Sequence, residues 1–344
     1  MYCSKGQRLG MPTYNWENIK ADGYRYLKEK LKYAQNFYDI LRIDHVVGLF
    51  RIWSIPYNDA QENQGLNGRF DPSDECLWRQ HGSQILKVMQ DSTDMRLCAE
   101  DLGVIPQSCT ETLRDLNIPG NDVQRWVKDW SLKHDFLDPE DYRRLSVTML
   151  STHDTTNWPA WWENEAGTVD EALFIRKCSD QRNIGFEQVK GLLFEPSRSR
   201  HGRLRWRDDV DSAQKLVEIL GLPGEHLNDF LDLWENSFRE KEKLWKKLKL
   251  KGPMREKSDP EIVEAALKGN LCSAALISIN TIFDLFYLGD ILKGDPYGCR
   301  INTPGTVSSK NWSLIIPFSI DELKKNPVSV KIKEMVLASG RSAK

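Results

Sequence analysis

The chain has 344 residues, a formal net charge of −2 and 28% charged residues, long enough for one large domain or two medium ones around a sizeable core. A balance this close to neutral gives no electrostatic footprint for nucleic acid or an anionic membrane surface. No run of about 18 apolar residues could cross a bilayer, and the opening MYCSKGQRLG lacks the apolar centre of a signal peptide, so the expected location is cytoplasmic.

Residues 22–38 place Tyr24, Leu27, Leu31, Ala34 and Tyr38 at helical spacing, and the helix runs directly into a strand, ILRID, at 40–44. Inside the aliphatic run ILRIDHVVGLF stand Arg42, Asp44 and His45. A strand covered on both faces would carry only Val, Ile and Leu, so these charges need partners or a purpose. A loop-rich excursion follows (58–75, with Asn-Gly turn chemistry at Asn67-Gly68), then a helix around 76–90 and a second strand, MRLCAED, at 95–101. Pro106 and Ser108 mark a helix start. DVQRWV (122–127) and LSVTMLSTHD (145–154) read as further strands, and 272–286 as a strand or a buried helix. Residues 209 to 250 read as helix, with the charges of REKEKLWKKLKLK forming a solvated face, before a turn-rich break at 252–261. Strands alternating with helical segments predict an α/β fold with parallel strands and no clear domain boundary.

Cys3, Cys76, Cys98, Cys109, Cys178, Cys272 and Cys299 are odd in number, scattered and never in C-x-x-C spacing, which points to reduced thiols and away from disulfides or a zinc site. No G-x-G-x-x-G, P-loop or H-E-x-x-H occurs and no acids or histidines cluster at ligand spacing, so neither a cofactor nor a metal is expected, and no nucleic-acid partner. The informative pattern is repetition: Asp44, Glu100 and Asp154 each close a strand-like segment and precede a turn. In a parallel barrel the strand carboxyl ends share one face, where catalytic groups collect. Strand alternation allows only one of Glu100 and Asp101 to face that site. Each acid alone could be a helix cap or a salt-bridge partner, and His153 alone a structural histidine. Together with Arg42 they make an improbable way to build a core. Two carboxyls in different environments suit glycosidic-bond cleavage, one attacking the anomeric carbon and the other protonating the leaving oxygen. Twelve tryptophans would suit either a core or sugar stacking.

Four ordered segments, YDILRIDHVVGLFRIWSIP, CAEDLGVIP, LSTHDTTNWPAWW and RINTPGTVSSKNW, resemble the amylomaltases or 4-alpha-glucanotransferases of glycoside hydrolase family 77, from about Gly6 to about residue 325. PTYNWENI (12–19) looks most like the branch that includes the plant cytosolic disproportionating enzyme. The resemblance implies a (β/α)8 TIM barrel with helical insertions and a retaining double displacement that transfers α-1,4-glucan segments between maltooligosaccharides. By motif it implies Asp44 as nucleophile, Glu100 as general acid/base and Asp154 as transition-state stabiliser. It further implies Arg42, His153 and Asn302 as substrate-binding residues, and Trp16, in PTYNW, is a candidate substrate-binding platform. Tyr14, Trp158, Trp161 and Trp162 are further candidate sugar platforms or core aromatics, and His45 supports the strand end. Leu9 stands where the family has an aromatic on the acceptor side. Asp44 lies about 40 residues from Met1, room for one helix, so residues 1–344 are expected to form a single partial domain, about units 4–8 of the barrel, with two open edges and little activity alone. The competing expectations are an α-glucan hydrolase or debranching-type transferase and an inactive glucan-binding remnant.

Overall fold

The computed structural model describes residues 10–130, 135–180, 185–221, 224–289, 291–292 and 294–341. Leu9, Gly6 and Cys3 lie outside the described residues. Five short parallel strands position the site: β1 (Ile40–Ile43), β2 (Arg96–Ala99), β3 (Gly120–Val123), β4 (Ser146–Met149) and β5 (Ile277–Ser278). β1 pairs in parallel with β2, placing Ile43 opposite Ala99. β3 pairs with β4, and β4 with β5, also in parallel. The two sheets meet where the Ala99 N–H donates to Pro119 O at 2.8 Å. The strands thus follow one another in space as they do in the chain, with all carboxyl ends on one side.

Helices close the connections. Trp78–Asp91 links β1 to β2 and Gln107–Asp115 links β2 to β3. Their buried faces, including Ile85, Leu86 and Leu113, join Val46, Phe50, Leu97 and Ala99 in one apolar core. Gly82 admits the buried Phe50 ring, since a Cβ there would lie 2.4 Å from it. The helix expected over 22–38 is Arg25–Ala34, and a separate short helix, Trp16–Ala21, precedes it, because Gly23 (φ +71°) and Tyr24 (φ 61°) turn left-handed between them.

The long link from β4 to β5 carries the insertions. Residues 169–238 hold their own apolar core around Phe174, Phe194, Trp206 and Phe230. The helix expected over 209–250 is three helices, Ala213–Leu220, Gly224–Ser237 and Glu240–Lys247. Gly221 ends the first in the left-handed conformation that favours glycine, and Arg239 (φ 52°) breaks the second from the third. The charges at the start of the third helix are not a solvated face. Glu240 and Lys241 are buried, Glu240 paired with Lys128 and Lys241 with Glu256. A buried charge needs a partner, and here the partners come from chain segments distant in sequence. Residues 272–286 resolve into the two-residue β5 and the helix Ile282–Phe286.

Candidate active site

β1 ends at Ile43, and His45 enters the left-handed region (φ 46°), uncommon for a bulky residue. This turn aims backbone groups at the end of β2. The His45 N–H donates to Glu100 Oε2 at 2.8 Å, and the Leu102 N–H donates to Oε1 at 2.9 Å. The parallel ladder continues alongside, Glu100 N–H to Ile43 O at 2.8 Å and Val46 N–H to Glu100 O at 3.2 Å. Asp44 and Glu100 therefore share one corner at neighbouring strand ends. Arg42, two residues before Asp44 and on the same side, reaches Asp44 Oδ1 at 2.8 Å.

The expectation that Arg42, Asp44 and His45 lie inside a buried run is corrected. The Asp44 side chain is 76% exposed, and Arg42 and His45 are also exposed. β1 pairs only with β2 among the described residues, and Ile40 on it is 41% exposed. Solvent and the Arg42–Asp44 pair, not a second partner strand, compensate these charges.

Glu100 and Asp101 divide as strand alternation requires. Asp101 turns inward and is buried, accepting the Asn121 N–H at 2.7 Å and the Arg143 Nη1 at 2.6 Å. Arg143 also holds Asp122, and these two carboxylates together raise the guanidinium pKa against the effect of burial. Gly120 makes the approach possible: a Cβ there would sit 2.3 Å from Asp101 Oδ2.

Asp154 stands on a short loop after β4, two strands along from the strand that ends at Glu100. The loop at 300–303 holds it. Asn302 Nδ2 donates to Asp154 Oδ1 at 2.6 Å, Arg300 Nη2 donates to the Asp154 carbonyl at 3.0 Å, and the Asn302 N–H donates to His153 O at 3.1 Å. His153 Nε2 lies 3.4 Å from Asp154 Oδ2. Asn302, His153 and Asp154 are thus one group.

Trp16 does not join it: its ring packs edge-on to His81 with centroids 5.6 Å apart and lies against the first core, beside Tyr14 at 5.1 Å. Trp158 and Trp162 are buried among Trp245, Leu267 and their neighbours, while Trp161, also largely buried, forms part of the wall of the cleft that holds Asp154. Tyr14 is exposed, and so are other aromatics that the sequence reading passed over. Trp312 is 65% exposed, has φ 58° and lies 5.2 Å from the His153 ring. Its N–H donates to Ile301 O at 2.8 Å, which fastens it across the loop that holds Asp154. The signal was present, since Trp312 ends the RINTPGTVSSKNW segment. Trp126 and Trp130, exposed after β3, line a cleft of about 680 Å³ together with Asp154, Tyr297, Arg300 and Thr303. Among the described residues no three His, Cys, Asp or Glu side chains form a group able to hold a metal ion.

Two acids bridged by one backbone turn, and a third clamped by an asparagine, form an arrangement suited to attack on a polarised single bond. Residues 1–319 match the glycoside hydrolase 77 family, described as 4-alpha-glucanotransferase. The chain belongs to this family. The 4-alpha-glucanotransferase of Chlamydia caviae is 38% identical over 323 residues, covering 94% of this chain and 46% of that protein. That of Chlamydia pneumoniae is 30% identical over 324 residues, with the same coverage. The chain thus spans under half the length of these glucanotransferases. The fold is similar to that of the amylomaltase from Streptococcus agalactiae, solved in complex with acarbose, with a TM-score of 0.57 at 17% identity over 98% of this chain and 48% of that one. The amylomaltase from Corynebacterium glutamicum gives 0.53, also at 17% identity, over 92% of this chain and 38% of that one. No helix among the described residues is long and apolar enough to cross a membrane.

Proposed function

We propose that the chain carries the catalytic acids of a 4-alpha-glucanotransferase acting on maltooligosaccharides and α-1,4-glucans. The observation that carries this is the corner where Asp44, paired with Arg42 at 2.8 Å, meets Glu100 through the His45 amide. Asp44 attacks the anomeric carbon while Glu100 protonates the departing glycosidic oxygen. The glycosyl unit is then esterified to Asp44, and Glu100 takes the proton from the 4-OH of the acceptor as that oxygen displaces the carboxylate, so configuration is retained overall. Arg42 supplies the counter-charge to Asp44. Asp154, held by Asn302, bonds sugar hydroxyls beside the reacting carbon, with His153 next to it.

The parallel order β1 to β5 supports reading these strands as consecutive units, about the fourth to the eighth, of a (β/α)8 barrel forming a single partial catalytic domain. The PTYNWENI segment supports placement near the branch of the plant cytosolic enzyme, and the scattered thiols a cytoplasmic location. A second reading, hydrolysis, is favoured by the 76% exposure of Asp44, because a glycosyl ester open to water is cleaved by water. Incubation of the chain with maltotriose and chromatography of the products tests both. A ladder of longer and shorter maltooligosaccharides, at the low level of a partial domain, is the expected result. Shorter products alone would establish the hydrolase, and no product from folded chain would refute turnover by these acids as they stand.

A further inference from the structure

The loop that presents Asp154 is fastened a second time, by two buried charged groups. Arg125 follows β3 and is buried. Its guanidinium grips both ends of the loop, Nη1 donating to Thr156 Oγ1 at 3.0 Å, Nη2 to the Thr156 carbonyl at 2.7 Å and Nη2 to Ser151 Oγ at 3.1 Å. Asp284, in the helix after β5, has no exposure at all. It accepts the Ser151 hydroxyl at 3.1 Å and the Trp158 N–H at 2.6 Å through Oδ1, and the Thr281 hydroxyl at 2.8 Å through Oδ2. The buried cation and anion are joined through the Ser151 hydroxyl, not by a direct ion pair. Between their two grips lie only Thr152, His153, Asp154 and Thr155.

Burial works against both charges, lowering the pKa of Arg125 and raising that of Asp284. Apolar residues of similar volume commonly hold a core at least as well as a buried ion pair. Every hydrogen bond of Arg125 among the described residues goes to the loop at 151–156, its guanidinium also lying over the Trp161 ring at 5.3 Å, and Glu165, which accepts the Thr156 hydroxyl at 2.7 Å, braces the same end. We infer that Arg125, Ser151 and Asp284 are positioning residues that hold the Asp154 loop in register with the reacting centre. The inference rests on the transferase reading of the site. A displacement of about 1 Å at such a group costs about 10²-fold in rate, so the mount acts on turnover more than on the affinity for sugar.

The test is Ser151→Ala, which removes the bridge and leaves both charges, with Ser151→Thr to restore a hydroxyl and Thr156→Val to release the other end. Hydrogen exchange of the 152–158 amides is measured beside kcat and KM on maltotriose. Ser151→Ala and Thr156→Val are expected to speed exchange across 152–158 by about tenfold or more while the β1 and β2 amides keep their protection. They are expected to lower kcat by about 10–100-fold with KM changed less than about twofold. Ser151→Thr is expected to recover both. Unchanged exchange at 152–158 in both weakening variants, or protection lost evenly over the whole chain, would overturn the inference. If the unaltered chain turns over no maltotriose, the transferase reading fails, and the exchange comparison still decides whether the mount exists.

Discussion

Glu100 and Asp101 are chain neighbours with opposite orientations, and on the proposed reading replacing each should separate turnover from stability. Asp101→Ala leaves the Asn121 N–H without its 2.7 Å acceptor inside the junction of the two sheets, an unsatisfied buried donor worth about 1–3 kcal/mol. It also removes one of the two carboxylates on Arg143, whose side chain is 46% exposed and keeps Asp122 at 2.6 Å. That half-solvated pair adds at most about 1 kcal/mol. The total is about 1–4 kcal/mol, a fall in melting temperature of roughly 1–6 °C for a chain of this size. Glu100→Gln keeps the shape of a half-exposed side chain and one acceptor oxygen, for a change within about 1 kcal/mol. Thermal melts followed by circular dichroism, with maltotriose turnover well below the transition, make the comparison. Glu100→Gln should melt near the unaltered chain and show no transfer, while Asp101→Ala should melt early and retain transfer at low temperature. An inactive Asp101→Ala of full stability, beside an active Glu100→Gln, would refute the assignment of inward and outward acids.

Trp312→Ala should leave the melting temperature unchanged, since the ring is mostly exposed, and raise KM for maltooligosaccharides roughly three- to tenfold if the ring stacks on sugar; steady-state kinetics with maltotriose reads this, and an unchanged KM would exclude that role. Glu264 takes hydrogen bonds from Lys268 and Lys331 that hold its carboxyl below the ordinary value of 4.5. Because the folded value is the lower one, the stabilisation is present above pH 4.5 and is lost as pH falls through the folded value. Melting temperature should decline across that acid range, and Glu264→Gln should flatten the decline; an identical acid profile in the variant would contradict it.

Strand positions were legible because β-branched and aliphatic runs ending in an acid and a turn are local signals. β1, β2 and β4 fall where ILRID, MRLCAED and LSVTM predict. What the sequence hid depends on partners far along the chain. Glu240 and Lys241 look like surface charges, and only Lys128 and Glu256 make their burial tolerable. The exposure of Asp44 could not be read from ILRIDHVVGLF, because the number of strands beside β1 is a tertiary fact. Asp154 was legible from its place after a strand, but its clamp by Asn302 comes from residues about 150 positions away. Arg125 and Asp284 gave no motif at all, since their role comes from a hydroxyl between them. Trp158 and Trp162, beside the acid in sequence, stack on each other in the core with centroids 5.5 Å apart, while Trp312 reaches the site from the far end of the chain.

The central claim is that Asp44 forms a covalent bond to sugar. The most direct measurement is mass spectrometry of the 344-residue chain carrying Glu100→Gln after incubation with maltotriosyl fluoride, a donor whose leaving group needs no protonation. The account predicts one added maltotriosyl unit per chain, located on the peptide containing Asp44 and absent when Asp44→Asn is added. An adduct on a different carboxylate, or none on a folded chain that still turns over maltotriose without the substitution, would contradict it.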